Sequence, residues 1–285
     1  MPIEAAIRSG EQYQGKIVAT YDQGEKEIIE IITRHGYRLK ATPDHKIMTP
    51  SGWVQAKELK GKAVLLQSKE GVWAEQHTLS MRGIYPASYP TQWSRELGQV
   101  LGWLVGDGWV RNPDSAGKDI RVGWTFGERD IPVLKTFLPR MNTWYGSSVK
   151  PVKRGKTVTH LSYHGKAFTS FFLELGISSE KAGHKIIPAS LFMAPKEAVV
   201  GFLQGLFGSD GTVGYQKSKQ NAYIRLTSKS ITLLQQTQLF LANMGIVSTL
   251  YDRSRKQRKN QFAYTNKSGE QRGYTTDGIL WELNI

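Results

Sequence analysis

Two aspartates stand at equivalent places in this 285-residue chain. Asp107 closes the run SRELGQVLGWLVGDG and Asp210 closes APKEAVVGFLQGLFGSDG, 103 residues apart, each directly before a glycine. Both runs read as helices, opened by Ser94 with Glu96 behind it and by Pro195, and stopped by Gly108 and Gly211. An Asp in the last turn faces the negative end of the helix dipole, at a cost of about 0.3–1 kcal/mol. One Asp-Gly pair is an ordinary turn dipeptide; its recurrence at matched places is what favours a site. If the two helices pack in parallel, both carboxylates emerge at one edge, and like charges so placed need a counter-charge. A divalent cation that prefers oxygen, Mg²⁺ or Mn²⁺, supplies it. With basic surroundings, the chemistry such a pair supports is metal-assisted phosphodiester hydrolysis.

The helices must bring those carboxylates together, and their glycines suggest how. Gly102 and Gly106 are four apart on one face, as are Gly205 and Ser209. Glycine inside a helix costs about 0.5–1 kcal/mol relative to Ala, so its presence at matched positions points to touching backbones. The segments after the two runs match as well. The strands DIRVGWTF and AYIRLTS place Arg121 and Thr125, then Arg225 and Thr227, on one face each. Val122, Trp124 and Phe126 read as apolar residues spread over both sides of the pleat. Helices DIPVLKTFLPRMNTWYG and SITLLQQTQLFLANMG come next, each with a glycine at its end, and then two basic strand candidates per copy. This is an internal duplication of about 100 residues, firm in the first half of each copy.

Charge agrees with that organisation. The net charge is +14, and residues 215–275 alone hold 11 basic and two acidic residues. Such an excess costs self-repulsion, commonly offset by a polyanion. The hairpin VKPVKRGK offers Lys150, Lys153, Arg154 and Lys156. The stretch YDRSRKQRKNQ offers Arg253, Arg255, Lys256, Arg258 and Lys259. These would neutralise phosphates, whereas Arg121, Thr125, Arg225 and Thr227 could reach base edges, Arg pairing bidentately with guanine. Zero cysteines exclude a disulfide scaffold, a Cys-ligated zinc site and a thiol nucleophile. No apolar run approaches the roughly 20 residues of a membrane span, and MPIEAAIRSGEQYQGK lacks the layout of a signal peptide. An intracellular protein without a membrane partner, in cytoplasm or nucleoid, is expected.

VLGWLVGDG (100–108) and LQGLFGSDG (203–211) resemble the two motifs of the LAGLIDADG homing endonucleases. The resemblance implies an α+β fold: two pseudo-symmetric αββαββα halves forming a DNA-binding saddle, a monomer acting as a pseudo-dimer. It implies metal ligation by Asp107 and Asp210, assisted by main-chain carbonyls of Gly106 and Ser209. It also implies a long asymmetric double-stranded DNA target, cut to leave short 3′ overhangs. HKIIPASLF (184–192) resembles the Lys-x-Ile-Pro block of intein-borne members, which implies a catalytic role for Lys185. The second copy shows no such block. Relatives that act as maturases or regulators leave a catalytically silent DNA- or RNA-binding module as the alternative.

GYRLKATPDHKIMTPSGWVQAKELKGKAV (36–64) resembles the Thr-x-x-His block of the Hint domain that splices inteins, with Thr42 and His45 at the matching pair. A small, mostly-β Hint-like domain is therefore expected over residues 1–75, then a linker over 76–93 and the repeats over 94–193 and 194–285. Strands are expected at QGKIVATYD, KEIIEIITRHGYRLKAT and KAVLLQ. The chain shows neither an N-terminal Cys block nor a terminal His-Asn. The expectation is accordingly a partial Hint segment with vestigial Thr42 and His45, a splicing intein fragment being the third reading.

Overall fold

The computed structural model describes residues 2–6, 12–16, 18–66, 70–111, 119–217, 220–255, 258–265, 270–276 and 278–285. It describes the backbone alone at 2–6, 12–16, 216, 258–265 and 271–276. Two compact units result. One comprises Met1–Val72, Thr237–Tyr251 and Leu283–Ile285; the other comprises Trp73–Gln236 and Asp252–Glu282.

The first unit holds three antiparallel hairpins. Strand β1 (Pro2–Ala6) pairs with β2 (Gln12–Lys16), β3 (Ile29–Ile32) with β4 (Arg38–Ala41), and β5 (Lys46–Thr49) with β6 (Gly52–Gln55). The β3–β4 turn is anchored by its backbone: the His35 carbonyl accepts from Leu250 N–H and from Gln238 Nε2, both at 3.0 Å. Gly36 sits there at φ +86°, where a Cβ would press on Leu250, and neighbouring Tyr37 is buried. The expected strand KAVLLQ does not form over residues 62–66. Leu65 N–H meets the Met48 carbonyl at 3.0 Å, but no ladder continues from it among the described residues, and a strand exists only through its ladder.

The second unit begins with a packed strap: Leu79, Tyr89 and Trp93 are buried, and the Tyr89 ring meets Phe168 and Phe171 edge-on. Then come α1 (Arg95–Asp107), β7 (Gly108–Arg111), β8 (Arg121–Gly127), α2 (Ile131–Tyr145), β9 (Val152–Arg154), β10 (Val158–His164) and α3 (Lys166–Glu174). The second copy, of which Thr237–Tyr251 and Leu283–Ile285 belong to the first unit, runs α4 (Lys196–Asp210), β11 (Gly211–Gln216), β12 (Asn221–Ser228), α5 (Ile231–Asn243), β13 (Thr249–Asp252), β14 (Arg258–Thr265), β15 (Gln271–Thr276) and β16 (Trp281–Asn284). The two sheets are ordered β7-β8-β10-β9 and β11-β12-β16-β13. The order is the same in both, with β13 in the place of β9 and β16 in the place of β10. The duplication therefore extends through the whole sheet. Hairpin β14–β15 is inserted between the last two strands of the second copy.

The first copy is αββαββα. Among the described residues of 194–285 the second shows the helices α4 and α5, and the third helix expected within that range does not form there. Residues 258–284 lack an apolar stripe at helical spacing, and WELN instead closes the sheet as β16 with Leu283 buried. A second correction concerns β8. Val122, Trp124 and Phe126 are wholly buried on one face, opposite Arg121 and Thr125, as a period of two requires. No helix among the described residues is long and apolar enough to cross a membrane.

Sequence signals explain the helix ends. Ser94 Oγ accepts from Leu97 N–H at 3.1 Å, the expected N-cap. Helix α2 ends at Gly146 in the left-handed region, φ +79°. Helix α1 is buried on nearly every side, with Leu97, Val100 and Leu101 fully inaccessible. It is tied to the sheet by indole bonds from Trp124 Nε1 to the Val100 carbonyl (3.0 Å) and from Trp103 Nε1 to the Thr125 carbonyl (2.9 Å).

The contact that organises this unit is α1 on α4. A Cβ on Gly98 would strike the carbonyl oxygen of Ala198, and one on Gly102 that of Phe202. One on Gly201 would strike Arg95 and one on Gly205 would strike Gln99. The helices therefore run parallel with their backbones in van der Waals contact, through Gly98 and Gly201 as well as the pairs expected. Gly102→Ala or Gly205→Ala gains about 1 kcal/mol of helix propensity but loses about 1–3 kcal/mol to overpacking against main chain that cannot swing away. Each variant should unfold at lower denaturant by chemical denaturation. Gly183→Ala, where a Cβ meets open space, should unfold with the parent.

Candidate functional site

Parallel packing fixes where the helices end. Asp107 and Asp210 are the last residues of α1 and α4, and Asp210 Oδ2 lies 3.3 Å from where a Cβ on Gly106 would sit. Both glycines after them start a strand at once. Gly108 is extended rather than left-handed, and a Cβ there would press on the Leu104 backbone. Glycine is needed at 108 for the abrupt helix-to-strand turn, not for its φ.

Lys185 completes the group. Its Nζ donates to the Gly106 carbonyl, beside both carboxylates. The lysine is positioned from α5: Ser230 Oγ donates to the Lys185 carbonyl at 2.6 Å while accepting from Leu233 N–H at 3.2 Å. Ile187 N–H donates to Gln236 Oε1 at 2.7 Å. Ser230 is buried, so one hydroxyl caps α5 and anchors the lysine segment.

The electrostatics are those of an over-charged acidic centre. Burial raises the Asp210 carboxyl to about 6, Asp107 adds to the rise, and Lys185 opposes it. Burial also raises Asp107; Lys185 opposes that shift and Asp130 adds to it. The Lys185 ammonium is pushed down by burial and pulled back up by Asp210 and Asp107. Two carboxylates against one ammonium leave the site short of positive charge. The donors are hard oxygens: two carboxylates and the Gly106 carbonyl. Among the described residues no group of three or more His, Cys, Asp or Glu side chains could hold a metal ion. One or two carboxylates with water and phosphate oxygens are what Mg²⁺ accepts, so the donor set fits. Ser209 turns its hydroxyl to the Leu206 carbonyl at 3.1 Å.

On the first sheet, Arg121 and Thr125 share the accessible face of β8. Arg121 bonds Asp119 at 2.8 Å and lies over the Trp109 ring. Lys150, Lys153, Arg154 and Lys156 are exposed on β9 and its flanks. On the second sheet, Arg225 and Thr227 lie on β12, and Arg225 and Arg253 both reach Glu282. Arg255 is exposed, with its N–H on the Gly278 carbonyl at 2.8 Å. Lys256 and the side chains of Arg258 and Lys259 lie outside the described residues. Within the first unit, the Thr42 hydroxyl bonds Asp44, holding that carboxyl below its usual range, and the Thr42 carbonyl accepts from His45 N–H at 3.0 Å. Sequence reasoning missed Ser230, Asp130, Asp119 and Glu282. Only Gly98 and Gly201 had a signal, since they extend the same spacing of four.

Comparison with known proteins gives one family match: residues 197–274 fit the description LAGLIDADG-like domain. The chain is 28% identical over 263 residues to Protein RecA of Mycobacterium tuberculosis, covering 88% of this chain and 30% of that protein. It is 26% identical over 262 residues to the tRNA-splicing ligase RtcB of Pyrococcus abyssi, covering 79% and 28%. The chain thus spans about a quarter to a third of the length of the curated relatives it matches. Among solved structures, variants of the homing endonuclease I-DmoI align over 67% of this chain and 88% of theirs, at 18% identity and a TM-score of 0.45.

A carboxyl raised to about 6 resists ionising in the folded state. It therefore withdraws stability as pH climbs from the unfolded value near 3.8 through about 6. In metal-free buffer, Asp210→Asn should stabilise the protein by about 1–3 kcal/mol at pH 8, leaving Lys185 and Asp107 as a one-to-one pair. The gain should vanish near pH 4. Thermal melts at the two pH values, with chelator present, read the difference.

Proposed function

We propose that this chain is a site-specific double-strand DNA endonuclease of the LAGLIDADG homing type, hydrolysing phosphodiesters with a divalent cation. The observation that carries the reading is the pair of carboxylates, Asp107 and Asp210, at the ends of two helices in backbone contact, with Lys185 held beside them on the Gly106 carbonyl. Burial and the neighbouring Asp107 charge raise the proton affinity of Asp210 and so destabilise the fold, a cost that a binding-only protein has no use for.

Asp107, Asp210 and the Gly106 carbonyl would hold Mg²⁺ or Mn²⁺, which supplies a Lewis acid and a nucleophilic water when bound. Lys185 contributes a fixed positive charge near the scissile phosphate, where negative charge develops. Ser230 keeps that lysine aimed; Asp210 and Lys185 are half-buried, and Asp107 stays open to solvent. The exposed Lys150, Lys153, Arg154 and Lys156 track phosphates, and the β8 and β12 faces offer Arg121, Thr125, Arg225 and Thr227 to base edges. Two unlike sheets in one chain support a monomer acting as a pseudo-dimer on a long asymmetric site; short 3′ overhangs and an intracellular location are part of the same proposal.

The relatives support an intein origin. RecA and the tRNA-splicing ligase have unrelated names, yet each shares one segment of this chain's size within a protein over three times as long. A segment common to such proteins reads as a mobile module carried inside hosts. The hairpins of the first unit then correspond to a Hint-like element, with Thr42 and His45 its vestigial pair.

With Mg²⁺ and a randomised duplex library, the protein should enrich cleaved ends at one site. Asp107→Asn and Asp210→Asn should each lower cleavage by about 10²-fold or more while binding stays within a few-fold. Lys185→Met should lower cleavage with binding unchanged. Binding without cleavage by the parent protein would establish the silent module instead.

A further inference from the structure

Glu282 is a carboxylate with only 7% of its side chain exposed, and a buried charge persists only when paired and hydrogen-bonded. Its partners are two arginines. Oε1 accepts from Arg253 Nε at 3.2 Å and Nη2 at 2.9 Å, and Oε2 accepts from Arg225 Nη1 at 3.2 Å. Arg225 is held from a second side as well, its guanidinium lying 4.0 Å from the centroid of the Tyr223 ring. Both arginines keep solvent access, 33% for Arg225 and 49% for Arg253. One carboxylate against two guanidiniums leaves the cluster net positive, so it still attracts an anionic polymer.

The first sheet carries an arrangement of the same kind. Asp119 bonds Arg111 at 2.6 Å and Arg121 at 2.8 Å, and both guanidiniums lie over the Trp109 ring. It is not a copy. Thr212 faces Arg225 across β11–β12 as Trp109 faces Gly123 across β7–β8, so the second sheet has arginine where the first has glycine. Different residues at different register positions build the same device, an acid that fixes two arginines beside an aromatic ring.

We propose that Glu282 is a positioning residue for sequence recognition, holding Arg225 and Arg253 as a fixed pair of forks that reads base edges in duplex DNA. The proposal rests on the DNA-binding reading above. An arginine free to swing tracks phosphates and adds affinity without sequence information. A guanidinium fixed in plane meets the O6 and N7 acceptors of guanine together and loses both bonds when the base changes. Glu282 therefore governs discrimination rather than affinity.

The test compares full-length parent and Glu282→Gln by selection from a randomised duplex library, with binding titrated against salt and folding monitored by circular dichroism. Glu282→Gln removes a negative charge from a basic face. Its affinity for random-sequence DNA should hold or rise a few-fold, and its salt slope should not fall. Discrimination should drop about tenfold or more at one to three neighbouring base pairs and stay intact elsewhere. Arg225→Lys and Arg253→Lys keep the charge but lose the fork, and should lose discrimination at the same base pairs. A folded Glu282→Gln protein with undiminished discrimination overturns the proposal, and so does an even loss at every position, the mark of a merely structural acid. Should Glu282→Gln not fold, full discrimination in both lysine variants overturns it. A parent protein with no sequence preference at all overturns the endonuclease reading itself.

Discussion

The main-chain contact between α1 and α4 is the constraint on which the rest of the second unit depends. Most helix pairs keep their axes 8–10 Å apart because side chains intervene. Here Gly98, Gly102, Gly201 and Gly205 remove the side chains at the crossing, and each backbone meets a carbonyl of the other helix. Such a contact tolerates no slippage, since the groups in contact have no rotamers. It fixes the parallel direction, so the C-termini coincide, and with them Asp107 and Asp210. It also fixes the sheets, because β7 and β11 begin at the residue after each aspartate.

That geometry creates an electrostatic conflict which the surrounding residues moderate without resolving. Two carboxylates are brought together, and burial of Asp210 with the Asp107 charge beside it raises Asp210 to about 6. The Lys185 ammonium lies close enough to be pulled upward by both aspartates, yet burial pushes it down further. Its bond goes to the Gly106 carbonyl, and its backbone is fixed by Ser230 rather than by the acids. A site tuned for stability alone would replace one aspartate by an amide. The strain between charge and burial is what one expects where structure has been spent on chemistry.

What could be read from the sequence was local. Spacing of four among glycines, a cap at Ser94 and alternation in β8 each involve residues within a few positions of one another. The misses are long-range. Glu282 lies 57 residues from Arg225 in GILWELNI, where nothing marks it as a partner. Ser230 caps α5, and its second bond, to a carbonyl 45 residues away, has no sequence signature. The strand expected at KAVLLQ had the right composition but no ladder to join. The third helix expected by symmetry within residues 194–285 does not form among the described residues there, where β14–β15 and β16 follow β13.

The two copies have diverged unevenly, and the unevenness has a physical reason. At Gly98, Gly102, Gly201 and Gly205 any larger side chain meets backbone, so both copies keep glycine there, and both end in Asp-Gly. The sheet faces carry no such restriction. Where the first sheet pairs Trp109 with Gly123, the second pairs Thr212 with Arg225, and hairpin β14–β15 stands in the second copy alone among the described residues. Lys185 from the first copy and its anchor Ser230 from the second together serve both helix ends. Joining the repeats in one chain frees each sheet to change without altering the other, which a symmetric dimer of identical chains cannot do. A shared rigid centre with two independently variable faces suits a ligand whose two ends differ.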